Sequence, residues 1–430
     1  MYQTEKSDDS IKYMDLFENV ELELPSCEFA GLVLAPVLPS IQSQEEIKQL
    51  ACQPIDGPSL TELVESRLAK SACILISDAT RQVPTRDIAR YLVEELVQGG
   101  VPAASICFIV AIGVHRDATP DEITAFLGPD LAGQVRALNH TPDAPDNLIS
   151  LGQTTFGTPV EINRIAYACA LHLSIGKVEP HEFAGFSGGR KSVLPGIASR
   201  ETISRNHAPE MIGSERSCPG SLAGNPIHED MVQAADLFRI DYTVQVVVDA
   251  NNNILAGFAG PLQMAHQAAI DFYLQNCRIC VPKPDIIVTT PGYPLNIDFY
   301  QSLKPLIALS DLVDERITLV LYSNCPEGVN SDDMLLPFKS CPDLADAIEY
   351  ANAHYTIQMD HSLLISKLLR KNVSIIVWSP HVDASDLTAM HMIPCEGPHK
   401  LLELARQTCG KQSPQILFVP QAQRFLLEFA

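Results

Sequence analysis

Short apolar runs rich in β-branched residues recur along the chain. They lie at Ala72–Ser77, Ile106–Ile112, Leu171–Gly176, Thr243–Val248, Asp285–Thr290, Ile317–Tyr322, Val373–Trp378 and Gln415–Val419. Between them are stretches with helical spacing of apolar positions, such as Arg86–Val97, closed by Gly99-Gly100, and Leu303–Val313. A strand apolar on both faces must be covered on both faces, and intervening amphipathic helices supply that cover. The pattern therefore predicts an α/β protein built from two α/β domains with mostly parallel sheets and an active-site cleft between them. Pro282-Lys283-Pro284 breaks the chain between a helix and a new strand. This places a first domain over residues 1–281 and a second over 282–411. Residues 412–430, with the strand near Gln415–Val419, are expected to return to the first domain. No internal repeat or low-complexity segment interrupts the pattern.

Composition narrows the class. At 430 residues, two or three domains are the natural expectation. A net charge of −22 disfavours nucleic acid or anionic membrane as the main partner, because both call for a cationic surface. The stretch Met1–Asp9 is polar and acidic, without an apolar signal core, and no run approaches the roughly 20 apolar residues that span a bilayer. The expected location is the cytoplasm. The 12 cysteines are scattered, several within apolar runs (Cys73, Cys107, Cys169), where they read as small buried hydrophobes. Cys277-x-x-Cys280 lacks a partner pair at zinc-ribbon spacing and reads as structural.

The polar motifs follow the carboxyl ends of the predicted strands. Asp78-Ala79-Thr80-Arg81 comes after the first, and His115-Arg116-Asp117-Ala118-Thr119-Pro120 after the second, where Thr119, Pro120 and Glu122 have the form of a helix cap. Lys177 comes after the third, followed by His181-Glu182-Phe183-Ala184-Gly185-Phe186-Ser187-Gly188-Gly189-Arg190-Lys191 and, further on, His207. Pro291-Gly292-Tyr293-Pro294-Leu295-Asn296 follows the strand ending at Thr290 and leads to Tyr300, Gln301 and Lys304. In open α/β sheets this edge is where ligands bind. The glycine loop can bring backbone N–H groups to a phosphate, histidine can ligate metal or move protons, and a deprotonated lysine can carry a covalent cofactor bond.

Each of these residues also has a plainer reading. Asp78 and Thr80 can cap a helix. His115 can be a hydrogen-bonded loop histidine, His207 a helix-surface residue after Ser199–Arg205, and Lys304 a solvated one. The Gly-Phe-Ser-Gly-Gly run can be a simple turn.

Taken together, the motifs resemble those of the nickel-pincer-nucleotide-dependent lactate racemase (LarA) family. The resemblance covers nearly the whole length: Pro54-Ile55-Asp56-Gly57-Pro58-Ser59-Leu60, Asp78–Arg81, Gly113–Arg116, His181–Gly196, His207, Gly224–Glu229, Gly292–Leu295 and Tyr300-Gln301-x-x-Lys304. It implies a cofactor, pyridinium-3,5-bisthiocarboxylic acid mononucleotide, whose sulfur substituents and ring carbon bind nickel. Lys191 matches the lysine that forms a thioamide link to that cofactor, and His207 the protein ligand to nickel. His115 and His181 match the two catalytic bases. Asp78, Ala79, Thr80 and Arg81 match the segment contacting cofactor and substrate, with Arg81 on the carboxylate. Ser187, Gly188 and Gly189 fall in the cofactor-binding loop, and Gln301 and Lys304 match second-domain residues that close over the substrate. Other enzymes supply the assembled nickel nucleotide.

The implied reaction is racemisation or epimerisation of a lactate-like 2-hydroxy acid. The α-hydrogen is poorly acidic beside a carboxylate, so its departure as hydride is a sensible route, coupled to removal of the hydroxyl proton by a positioned base. Two bases on opposite sides serve both enantiomers through a 2-keto acid. In place of the family's Gly-Gly-Tyr-Pro-Leu-Asp, the chain has Pro291 and Asn296 at the ends of that motif. Pro291 stiffens the loop, Asn296 removes a charge near the cleft, and the pair is expected to alter which α-substituent fits. The same chemistry on a larger 2-hydroxy acid or sugar acid is the nearest alternative. A phosphate-handling transferase and a non-catalytic cofactor-binding protein are more distant ones, since the glycine spacing is not that of a P-loop and storage needs no bases.

Overall fold

The computed structural model describes residues 2–7 and 9–430, so positions 1 and 8 of the polar N-terminal stretch lie outside the described residues. The chain begins as an antiparallel meander of β1 (Tyr2–Lys6), β2 (Ser10–Asp15) and β3 (Val20–Pro25), with Ile11 opposite Leu24 and Tyr13 opposite Leu22. Period-2 alternation puts Ile11, Tyr13, Val20, Leu22 and Leu24 on one buried face. A fourth strand, β4 (Phe29–Leu32), follows.

The first large sheet contains β5 (Ala72–Ile76), β6 (Ile106–Val110), β7 (Arg136–Asn139), β8 (Leu171–Lys177), β9 (Tyr242–Val248) and β10 (Ile254–Gly260), in the order β10-β9-β8-β5-β6-β7. All neighbours run parallel except β9 and β10. The chain steps outward from β5 through β6 to β7, then returns to place β8 on the other flank of β5. That reversal opens a crevice at the carboxyl ends of β5 and β8. Helix α1 (Thr85–Gln98) buries Ile88, Ala89, Leu92, Val93 and Leu96 in the core under this sheet. Helices α2 (Arg200–Asn206), α3 (Pro226–Phe238) and α4 (Leu262–Cys277) belong to the same half of the molecule.

The second sheet is parallel throughout. It combines β11 (Ile286–Thr289), β12 (Thr318–Tyr322), β13 (Ser374–Trp378), β14 (Ile393–Pro394) and β15 (Ile416–Phe418) with β4, in the order β14-β13-β12-β11-β15-β4. Its reversal lies between β11 and β15, so it too opens a crevice at its strand ends. After β11 come the short helices α5 (Phe299–Ser302) and α6 (Lys304–Ala308), and α7 (Asp360–Leu369) precedes β13. Regular helix over the expected Leu303–Val313 is confined to α6, and turns follow Leu309.

Two expectations about chain path are corrected. The strand at Gln415–Val419 does not return to the first sheet; it pairs with β11 and β4 in the second. Residues 2–32, expected with the first domain, also pack on the second sheet, where Tyr13 stacks on Phe418 at 4.2 Å and bonds the Tyr322 hydroxyl. Burying the apolar face of the meander needs an uncovered sheet face, and the second sheet provides it. The last strand, Leu426–Phe429, pairs in parallel with Arg278–Val281 at the crossing between the two halves. A continuous apolar cluster runs from the first sheet through Phe183, Phe186 and Val193 to Ile287, Phe299 and Leu364, so both halves share a core beneath the cleft. Among the described residues no helix is long and apolar enough to cross a membrane, and the 12 cysteines, Cys277 and Cys280 included, are free thiols.

Candidate active site

The crevice of the first sheet collects the charged motifs. Beyond β5, the Asp78 carboxylate caps the turn Ala79–Arg81 through the Thr80 N–H (2.9 Å) and hydroxyl (2.5 Å), while its other oxygen takes His115 Nδ1 at 2.7 Å. The capping reading of Asp78 is realised, and its second oxygen ties the turn to His115. Burial pushes the Asp78 carboxyl up, but the bonds from His115 and Thr80 outweigh it and hold it below the ordinary range. Fixing Nδ1–H on Asp78 leaves the His115 Nε2 lone pair for a substrate proton. The expected cap after His115 is present, with Thr119 and Glu122 bonding reciprocally over Pro120.

Beyond β8 the chain forms the glycine loop. Lys191 lies on a short turn, Gly189–Ser192, with its Nζ 3.0 Å from His181 Nε2 and 5.6 Å over the Phe183 ring. Burial lowers the Lys191 amine well below its ordinary value, and the nearby Arg81 and Arg190 charges push the same way. A neutral amine is a nucleophile, which is what a covalent link to a cofactor requires. Burial also lowers His181 well below its ordinary value. Phe183 stands edge-on to both His181 (4.7 Å) and His207 (5.0 Å), holding the two rings apart. His207 caps the carboxyl end of α2 and donates Nδ1–H to the Ile203 carbonyl at 3.1 Å, which leaves the Nε2 lone pair for a metal. Burial, then Lys191, lowers His207 to about 4, so it is neutral at pH 7.

The loop is braced from within. Ser187 Oγ donates to the Lys177 carbonyl (2.7 Å) and accepts from Glu179 N–H, while Ser187 N–H goes to the Glu179 carbonyl. Gly189 N–H is taken by Gln245 Oε1 at 2.8 Å, and Lys191 N–H by the Gly188 carbonyl. These N–H groups face inward, so the phosphate-cradle expectation is not met at Ser187 and Gly189. Gly188 has φ +74°, and a Cβ there would lie 2.5 Å from Gln245 Oε1 and 2.9 Å from the Lys177 carbonyl, which only glycine avoids. The buried Arg190 guanidinium ties the loop further through the Ala184 carbonyl (2.6 Å), and burial lowers it to about 9.

The second half reaches the same place. Lys304, at the start of α6, forms an ion pair with Glu182 at 3.2 Å, and the other Glu182 oxygen lies 3.3 Å from His181 Nδ1. Burial raises the Glu182 carboxyl, yet Lys304 and then His181 overcome it and leave it well below the usual range. His181 Nδ1 accepts the Ala184 N–H at 3.4 Å, and Nε2 faces the Lys191 amine at 3.0 Å. Gln301 sits between Tyr300 and Lys304, its backbone N–H capped by Asp298 at 2.7 Å and its side chain half-buried. Arg81 lies near enough to act electrostatically on Lys191 and His181.

Sequence reading gave no role to Glu182, although an acid beside a base in a strand-end loop was its signal. Gln245 announced itself as the polar residue inside an apolar strand. Asp360 and His361, at the start of α7, carried no signal, because only the fold brings them near Tyr300. Pro291 and Asn296 are held by distant parts of the chain. Asn296 donates its amide to Glu18 at 2.6 Å, and Glu18 also accepts Asn324 N–H. The Pro291 carbonyl takes the Gln423 amide at 2.8 Å. Both departures pack against the chain's own terminal segments.

Residues 17–220 match the lactate racemase N-terminal domain and residues 280–424 the lactate racemase C-terminal domain. Lactate racemase of Lactiplantibacillus plantarum is 31% identical over 387 residues, covering 88% of this chain and 90% of that protein. Lactate racemase of Thermoanaerobacterium thermosaccharolyticum is 33% identical over 308 residues, covering 71% and 72%. The lactate racemase apoprotein structure from the latter organism superposes with a TM-score of 0.87 at 28% identity, covering 95% of this chain and 97% of that one. A Thermotoga maritima structure at 18% identity and TM-score 0.67 shares the fold. Fold and relatives together define a racemase, an isomerase. The chain belongs to the lactate racemase family.

Proposed function

We propose that the protein racemises a 2-hydroxy acid of the lactate class by coupled hydride and proton transfer through a 2-keto acid, using a nickel-pincer nucleotide held by Lys191 and His207. The observation that carries this reading is the buried Lys191 amine 3.0 Å from His181 Nε2, with His207 across the Phe183 ring and its Nδ1 tied to the Ile203 carbonyl. Among the described residues no group of three or more His, Cys, Asp and Glu side chains is arranged to hold a metal. A single histidine then fits a metal whose other ligands come from an organic group. That group, when bound, supplies the hydride acceptor.

The chain's own residues do the rest. Arg81 grips the substrate carboxylate through its guanidinium fork. His115, aligned by Asp78, and His181, beside Lys191, each serve as the base that accepts the hydroxyl proton of one enantiomer and returns it to the keto oxygen for the other. Lys304 and Gln301 come from the second half, so closing the cleft positions the substrate and excludes water, and keeps the keto acid from escaping before it turns over. In this reading the first half binds the cofactor and the second closes upon it.

Intact-mass spectrometry of protein co-produced with the cofactor-forming enzymes tests this assignment. An adduct on wild type that disappears in Lys191→Ala, accompanied by nickel, is expected; no adduct and no nickel under competent conditions contradicts it.

A further inference from the structure

His361 is the second residue of α7, and two bonds fix its ring. Its backbone N–H and Nδ1 both go to Asp360 Oδ1, at 2.6 and 2.9 Å, and the Tyr300 hydroxyl donates to that same oxygen at 3.0 Å. The Tyr300 ring packs on the imidazole with centroids 3.9 Å apart. Tyr300 leads directly into Gln301 and Lys304, so His361 belongs to the wall that the second half presents to the cleft. Its charge acts on Glu182, and that of Asp360 on His207, so this wall lies within electrostatic reach of both. The residue is only 3% exposed, yet Nε2 has no hydrogen-bond partner.

A buried polar atom without a partner is costly, and a ligand atom reaching it would supply the missing bond. The other polar groups nearby are already matched: Lys304 to Glu182, and Glu182 to His181. We infer that His361 Nε2 reads the α-substituent of the substrate, and that the preferred 2-hydroxy acid carries an oxygen there in place of a plain alkyl group. This rests on the racemase reading above. With Nδ1–H on Asp360, Nε2 accepts from a substrate hydroxyl when the ring is neutral and donates to a second carboxylate when it is protonated. Both are oxygen-bearing substituents, and a methyl or ethyl group satisfies neither state.

The experiment compares kcat/KM for racemisation of lactate, 2-hydroxybutyrate, glycerate and malate by the cofactor-loaded enzyme, in wild type, His361→Phe and His361→Gln. Phenylalanine keeps the ring stacked on Tyr300 and removes the nitrogen; glutamine keeps a polar group near Nε2. Wild type is expected to favour glycerate or malate over 2-hydroxybutyrate by roughly tenfold or more, since a site built for a hydrogen bond rejects the analogue lacking it. Glycerate in the lead identifies a hydroxyl partner, and malate a carboxylate. His361→Phe is expected to erase the preference, and His361→Gln to retain part of it; if the phenylalanine variant does not fold, the glutamine ratio decides. Equal use of 2-hydroxybutyrate by wild type, or an equal loss on all four acids in the variants, overturns the inference while leaving the racemase reading intact. No racemisation of any acid by loaded wild type overturns that reading and this inference with it.

Discussion

Asp78 holds two elements at once, capping its own turn and orienting His115 across 37 residues of sequence. The same economy recurs at Glu182, whose two oxygens serve His181 and Lys304. Asp78 holds the His115 ring in place, so its loss should damage turnover more than assembly. Asp78→Asn keeps the cap but offers His115 an amide in place of a charge, and kcat is expected to fall about a hundredfold, within the range of a positioned base. Nickel measured in the same preparation should remain at the wild-type ratio, whereas His207→Ala should lose it. An Asp78→Asn enzyme with unchanged kcat, or a His207→Ala enzyme with full nickel, contradicts these roles.

Among the elements, the strand-end loops decide how the site is assembled, and here local sequence and fold diverge most. The motifs after β5, β6 and β8 were legible because each follows an apolar run and carries residues a core has no use for. The partner of Asn296 was not, since Glu18 lies 278 residues away and is brought there by packing of the N-terminal meander. Restoring a carboxylate with Asn296→Asp would set two acids against each other in a largely buried place. Urea denaturation is expected to show a loss of roughly 1–3 kcal/mol, as for a buried group left without its bond, and Glu18→Gln should recover most of it. Unchanged stability in Asn296→Asp contradicts this explanation of the departure from the family motif.

At the scale of the molecule, two sheets each reverse direction beside a central strand, and the two crevices are joined through the Lys304–Glu182 pair. Parallel sheets and alternating helices were readable from apolar runs alone. The destination of β1–β4 and of β15 was not, because period-2 alternation shows that a face must be buried without showing against what. Burial has a cost that follows pH. His140, His207 and His266 are buried, with His207 held at about 4 and His266 at about 3, chiefly by burial, and His140 lowered for the same reason. Histidines in the unfolded chain bind protons near pH 6.5. Stability from keeping these rings neutral is therefore present above about pH 6.5 and lost as pH falls towards 4. The urea midpoint of the cofactor-free protein should drop between pH 7.5 and pH 5; an unchanged midpoint contradicts the assignment of neutral buried rings.

In the proposed reaction the two halves close over one substrate carbon, and the fate of its hydrogen distinguishes hydride transfer from carbanion racemisation. The direct measurement follows a single enantiomer of α-deuterated 2-hydroxy acid through the cofactor-loaded enzyme, recording chirality and deuterium content together. Inversion with the deuterium retained is the result expected for hydride transfer within a closed cleft. Inversion with rapid washout of deuterium into solvent, or no inversion at all, would contradict it.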